Sequence, residues 1–232
     1  MPKTLALLHT TQVFLKVETM IQDLFREIMP DVRLLNIMDD SLLPTVVAEG
    51  RVGPEVIRRV CAYVEAAESA GADAVLSLCS SLGPAIDVAR ALVEIPVIKI
   101  DDAHTAKAVH DASRIGVMAT VASTLFPTIE LIKAKAAAAG KAVEIHHALS
   151  DDAFDVLMAG DKDRHDAMVV DAARALAPKV DLLLFAQGSM TRLAPRVAEL
   201  TGLTVLTSPR LAIEYTKRVL DGIAEPSLAG TR

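Results

Sequence analysis

Apolar runs of strand length alternate with segments of helical period from one end of the chain to the other. Leu5 to His9, Val32 to Met38, Ala74 to Leu78 and Pro96 to Ile100 read as strands. Arg114 to Thr120, Val143 to Ala148, Asp181 to Ala186 and Leu203 to Leu206 continue the series. Short apolar runs bounded by turn residues are what a sheet covered on both faces requires. Helical patterns lie between them. The first covers about Val13 to Ile28 and ends at Met29-Pro30. The next, Glu55 to Ser69, sets Val56, Val60, Tyr63 and Val64 on one face and stops at Gly71. Ala85 to Val93, Ala103 to Asp111 and the Ala-rich Ile129 to Ala139 follow, then a region ending near Ala177-Pro178, and Pro209 opens the last helix. Ser123 or Thr124 is expected just before the Ala-rich helix, with Pro127 early in it. Asp39 to Pro54 reads as a loop, long enough for an α/β connection to cover a site. The alternation predicts parallel sheets with helices on both faces.

The pattern is written twice. Asp73 precedes the Ala74 strand and Cys79 lies six positions on (79 − 73); Asp181 precedes the Leu182 strand and Gln187 lies six positions on (187 − 181). Thr10-Thr11 after the first strand matches Thr120 and Ser123-Thr124 after the fifth. The expectation is two pseudo-symmetric, doubly wound α/β lobes, each with a mostly four-stranded parallel sheet. Residues 1–100 plus 208–232 would form the first and 101–207 the second, with a cleft between them. Ligands bind outside the carboxyl ends of strands in open α/β sheets. Cys79-Ser80-Ser81 and Gln187-Gly188-Ser189 occupy such ends. A thiol at a strand exit before a helix start is expected to favour its thiolate.

Composition narrows the classes. At 232 residues and 52% hydrophobic content, the chain can bury a substantial core. Its net charge is −6 with no basic stripe, and aromatics are 3%, so neither phosphate-backbone binding nor a base-stacking platform is expected. The N-terminal stretch lacks a signal-peptide pattern and no run is long enough to span a membrane. Two cysteines, Cys61 and Cys79, make neither a disulfide framework nor a metal cluster. A cytoplasmic enzyme or binder without metal is expected, and a homo-oligomer is compatible with the apolar helix faces.

The segments Asp73 to Ser81 (D-A-V-L-S-L-C-S-S) and Ile115 to Thr124 (I-G-V-M-A-T-V-A-S-T), with the second Asp-plus-six strand end, resemble the aspartate/glutamate racemase superfamily. That group also holds hydantoin racemases, maleate isomerases and arylmalonate decarboxylases. The resemblance covers nearly the whole chain. It implies a small carboxylate held between two lobes, no cofactor, and two cysteines flanking the α-carbon. It also implies carboxylate binding by strand-end hydroxyls and N–H groups: Thr10, Thr11, Ser80, Ser81, Thr120, Ser123, Thr124, Gly188 and Ser189. Only the first family cysteine is present, as Cys79; Gln187 stands at the second, with Ser189 two residues on. Neither Gln nor an unactivated Ser is a general base near neutral pH. The resemblance therefore implies one-sided proton transfer at the α-carbon by Cys79, with Gln187 stabilising an oxyanion.

Two alternatives stay open: a lyase like arylmalonate decarboxylase, using the single thiol as proton donor, and a carboxylate-binding protein without chemistry. A Cys79 pKa near or above roughly 8.5, with no reactivity to iodoacetamide, marks the binder. Each hydroxyl can also be read as a cap or turn former. His9 reads as a hydrogen-bonded structural residue, Cys61 as core, Arg192 as an exposed helical side chain, and Asp73 and Asp181 as turn formers. His104 with Asp101 and Asp102 falls short of a zinc site. His146 and His147, adjacent in a strand, point to opposite faces.

Overall fold

A computed structural model describes residues 2–12 and 19–222 of the chain. The described residues form two compact units: 2–12 and 19–100 together with 209–222, and Asp101–Ser208. The first unit contains strands β1 (Thr4–His9), β2 (Arg33–Met38), β3 (Ala74–Ser77) and β4 (Val97–Lys99). Its helices are α1 (Met20–Ile28), α2 (Leu42–Glu49), α3 (Pro54–Ser69) and α4 (Gly83–Ala89). The second unit contains α5 (Asp102–Asp111), β5 (Arg114–Ala119), α6 (Ala122–Ala138), β6 (Glu144–Leu149), α7 (Asp152–Met158), α8 (Lys162–Leu176), β7 (Leu182–Phe185), α9 (Ala194–Thr201) and β8 (Thr204–Thr207). Helix α10 (Ser208–Leu220) returns the chain to the first unit.

Both sheets are parallel and share one topology, β2-β1-β3-β4 and β6-β5-β7-β8. The α/β class and the four-stranded sheets are as the alternation predicted. β1 is buried along its whole length, as a strand flanked on both sides and covered on both faces must be. Ala6 and Leu8 face a core shared with Leu42, Val56, Val60 and Ile86. Leu5 and Leu7 face the opposite core, with Ile21, Phe25, Ala212 and Ile213. Each fully buried Leu contributes about 2 kcal/mol. The edge strands β2 and β6 are only half-buried.

One device recurs at the amino ends of the strands. The Asp73 carboxylate accepts from the Thr4 N–H at 2.7 Å and from Lys3 Nζ at 3.0 Å. The Asp181 carboxylate accepts from the Arg114 N–H at 2.8 Å and from its guanidinium at 2.6 Å. Each Asp thus locks the start of the neighbouring central strand. The amino-terminal position explains why these residues stand six before the strand exits and not at them.

Three expectations need correction. Asp39 to Pro54 is not a loop but carries α2, an L-L-P-T-V-V-A-E segment whose proline sits in the first turn, where a missing N–H costs nothing. Gly50 ends it in the left-handed region at φ 65°. Asp39 ties the helix start to α3, accepting from the Tyr63 hydroxyl at 2.6 Å, the Ser41 hydroxyl at 2.7 Å and the Arg59 guanidinium. Second, α6 starts at Ala122, so Ser123 and Thr124 lie in its first turn and not before it. Third, the helix after Gly83 stops at Ala89, short of Val93. The helical region expected before Pro178 is present, as two helices, α7 and α8, broken at Gly160 with φ 90°. Of the first expected helix, residues 13–18 lie outside the described residues. Among the described residues, no helix is long and apolar enough to cross a membrane.

Gly116 in β5 is fixed by packing. A Cβ there would meet Leu183 Cδ2 at 2.8 Å and the side chains of Leu176 and Val180 at 3.1 Å. Gly116→Ala is expected to destabilise the protein by about 1–3 kcal/mol through overpacking. A lower urea midpoint at unchanged m-value would show it.

Candidate active site at the strand exits

The hydrogen-bond register makes the two strand exits equivalent. Leu78 N–H bonds the Leu8 carbonyl at 3.0 Å, and Ala186 N–H bonds the Met118 carbonyl at 2.9 Å. One residue on, Cys79 and Gln187 hold matching positions, both extended, with φ −136° and −128°. Each opens a short 3₁₀ turn, Ser80–Leu82 or Gly188–Leu193, that runs into a helix. Two residues beyond Leu8 and Met118 stand Thr10 and Thr120, also matched.

In the first unit the threonine bonds the thiol. Burial pushes the Cys79 pKa up; the Thr10 hydroxyl, the N–H groups of Ser81 and Leu82 and the Ser81 hydroxyl, all hydrogen-bonded to the sulfur, pull it down. The net direction is upward. This corrects the sequence expectation of a favoured thiolate: four donors are in place, but desolvation of the charge outweighs them. Cys79 is half-buried, while Thr10, Ser80 and Ser81 are buried and Thr11 is half-buried.

In the second unit the threonine bonds the amide. Gln187 Oε1 accepts from the Thr120 N–H at 2.5 Å and from its hydroxyl at 3.2 Å. The amide therefore presents its Nε2 group, two N–H donors, as the end not committed to Thr120. Gly188 and Ser189 are half-buried, Thr120 and Thr124 are buried, and Ser123 is half-buried. The carboxylate of Asp166 holds the Arg192 guanidinium and bonds His165 Nδ1 at 2.9 Å, fastening the 3₁₀ turn to α8. Arg192 is half-buried and paired, not the exposed helical side chain that the sequence suggested.

The structure thus groups Thr10, Cys79, Ser81 and the N–H groups after Cys79 in one exit, and Thr120 with Gln187 in the other. The thiol–Thr10 and amide–Thr120 bonds were not foreseen. The signal for them was present, because the matched threonines and the matched Cys/Gln stand at fixed offsets in both halves.

The sequence profile of the Asp/Glu/Hydantoin racemase family matches residues 10–216. The chain belongs to this family. Solved racemase structures share its fold. Glutamate racemase isoform RacE1 from Bacillus anthracis is 17% identical at a TM-score of 0.70, over 97% of this chain and 85% of that one. Allantoin racemase from Klebsiella pneumoniae is 18% identical at a TM-score of 0.67, over 98% and 92%. Arylmalonate decarboxylase is 15% identical at a TM-score of 0.57, over 98% and 97%. Among curated proteins, none matches the sequence. The resemblance read from Asp73 to Ser81 and Ile115 to Thr124 is therefore correct at the level of family and racemase-type fold.

The direction of the Cys79 pKa sets a pH dependence for this family member. Alkylation of Cys79 by iodoacetamide needs the thiolate. Its rate should climb with pH through a midpoint above the roughly 8.5 of a free thiol. Thr10→Val removes a donor to the sulfur and should move that midpoint to still higher pH. A midpoint at or below that of a free thiol, or one that Thr10→Val leaves in place, contradicts the geometry.

Proposed function

We propose that the chain is a cofactor-independent, racemase-type enzyme that moves a proton at the α-carbon of a small carboxylic acid, with Cys79 as the acid/base group. The observation that supports it is the matched pair of strand exits, one ending in a donor-surrounded thiol and the other in a tethered amide. In this reading Thr10, Thr11, Ser80, Ser81, Thr120, Ser123 and Thr124 contribute hydroxyls to the substrate carboxylate. Gln187 Nε2 and the N–H groups of Gly188 and Ser189 stabilise the enolate oxygen. Cys79 removes or delivers the α-proton on one face only. In this reading the protein works in the cytoplasm, without nucleic acid, membrane or metal, and its apolar helix faces are compatible with a homo-oligomer.

A second reading has its own support. A thiol whose resting state is protonated is ready to donate, not to abstract. Such a group suits the last step of a decarboxylation: loss of CO₂ leaves an enolate, and the thiol proton passes to its α-carbon. A raised pKa alone also fits a binder, so turnover has to decide. The test incubates the enzyme with small mono- and dicarboxylic acids in deuterated water and follows α-deuterium incorporation and CO₂ release. Incorporation into one enantiomer, without CO₂ loss, supports the racemase-type reading. Stoichiometric CO₂ with one α-deuterium supports the lyase. Equal incorporation at both faces overturns one-sided transfer, and binding without either signal overturns catalysis.

A further inference from the structure

The two strand exits match in backbone but not in what lies beneath them. Ser77 stands two residues before Cys79 and pairs with Lys99 of β4; Phe185 stands two before Gln187 and pairs with Thr207 of β8. Strand alternation puts Ser77 and Lys99 on the sheet face of Val75 and Val97. Cys79 packs on that face with Leu82, Ala85 and Ile86. In the other unit Phe185 fills the equivalent place with a buried ring, packed in a core with Met190 and Leu193. The fold therefore accepts an apolar solution at this position.

The thiol half carries a polar one. The Lys99 side chain is 6% exposed, and its ammonium donates to both carboxylate oxygens of Asp87 on α4, at 2.8 and 3.0 Å. Its stem runs beneath the start of α4: a Cβ on Gly83 would lie 3.7 Å from Lys99 Cδ. Asp87 also accepts from the Arg90 guanidinium at 3.0 Å, and Arg90 Nε donates to the Val97 carbonyl at 2.7 Å. These links strap α4 to β4. The Ser77 hydroxyl is fully buried, with no hydrogen-bond partner among the described residues. A buried ammonium and an unmet hydroxyl cost stability more than they supply it. Gly83 directly follows Leu82, whose N–H bonds the Cys79 sulfur, as does the N–H of Ser81. The lysine stem thus lies one residue from the donors that surround the thiol.

We propose that Lys99, anchored on Asp87, is a positioning residue that holds the Ser81 and Leu82 N–H groups on the Cys79 sulfur. The inference rests on the reading of Cys79 as the acid/base group. It accounts for a buried lysine in one unit where the other has Thr207. The test follows iodoacetamide alkylation of Cys79 against pH in the full chain, by mass spectrometry of its peptide, and so needs no turnover. Lys99→Met removes the ammonium, keeps an apolar stem under Gly83 and leaves Asp87 with Arg90. Its alkylation midpoint should rise by about one pH unit, the worth of one hydrogen bond to a charged sulfur. Its urea midpoint should stay at or above that of the parent, because a buried ion pair adds little stability. Lys99→Arg can still reach Asp87 and should restore most of the alkylation profile. Asp87→Asn weakens the same tie from the helix side, should raise the alkylation midpoint likewise, and serves if Lys99→Met does not fold. An unmoved alkylation midpoint in the folded variants overturns the proposal. Loss of stability without that shift also overturns it, because it assigns the pair to the fold alone. A shifted midpoint in a protein that turns over no carboxylic acid upholds the positioning and removes the catalytic reading instead.

Discussion

Cys79→Ala is expected to lower turnover by about 10²–10⁴-fold, the usual contribution of one positioned acid/base group. The fold should survive, because the thiol is half-buried and its neighbours Leu78 and Leu82 keep their places in the core. Cys79→Ser should be nearly as severe. A serine hydroxyl retains the hydrogen bonds to Thr10 and Ser81 but gives up its proton far less readily than a thiol. The pair separates chemistry from binding: both variants should still bind the carboxylate through the surrounding hydroxyls and N–H groups. Turnover and substrate-induced thermal shift, measured on the same samples, check this. Full activity in Cys79→Ala removes the thiol from the mechanism.

Changes at Gln187 should have the next largest effect, with different signs. Gln187→Ala deprives the Thr120 N–H of its acceptor, which costs about 1–3 kcal/mol of stability. It also removes the proposed oxyanion donor, so kcat should fall by about 10²–10³-fold. Gln187→Cys also loses the tether to Thr120, but places a thiol at the position equivalent to Cys79. It should gain α-deuterium exchange on the enantiomer that the parent enzyme leaves untouched. Glu at this position is the control: it keeps an acceptor for Thr120 and presents no amide donor. If Gln187→Cys exchanges no new enantiomer while folding normally, the equivalence read from the register does not extend to function.

Much of this architecture was legible because it rests on local pattern. Most of the eight strands among the described residues are apolar runs punctuated by turn residues, and all eight appear within a residue or two of their expected bounds. The duplication was legible from Asp73 and Asp181, since both carboxylates do the same work at the strand starts. Helix α2 was missed because Pro44 and a sparse polar face hide a helix that the Asp39–Tyr63–Arg59 network fastens from outside. The Cys79 pKa was misjudged for a different reason. A sequence displays the donors that stabilise a thiolate but not the loss of solvent that opposes them. The Thr120–Gln187 bond belongs to strand register, which becomes visible only when Ala186 N–H is seen on the Met118 carbonyl.

The Asp locks sit at the amino ends of the sheets, and Cys79 and Gln187 sit at the carboxyl ends. In each half, then, the parts that hold the sheet in register are a strand's length from the parts proposed to meet a substrate. The same separation suits deliberate retuning. A library confined to residues 187–189, with Asp181 and Arg114 left alone, should yield mostly folded proteins whose chemistry differs. Randomising Asp181 should instead yield a population of poorly expressed chains, whatever stands at the exits.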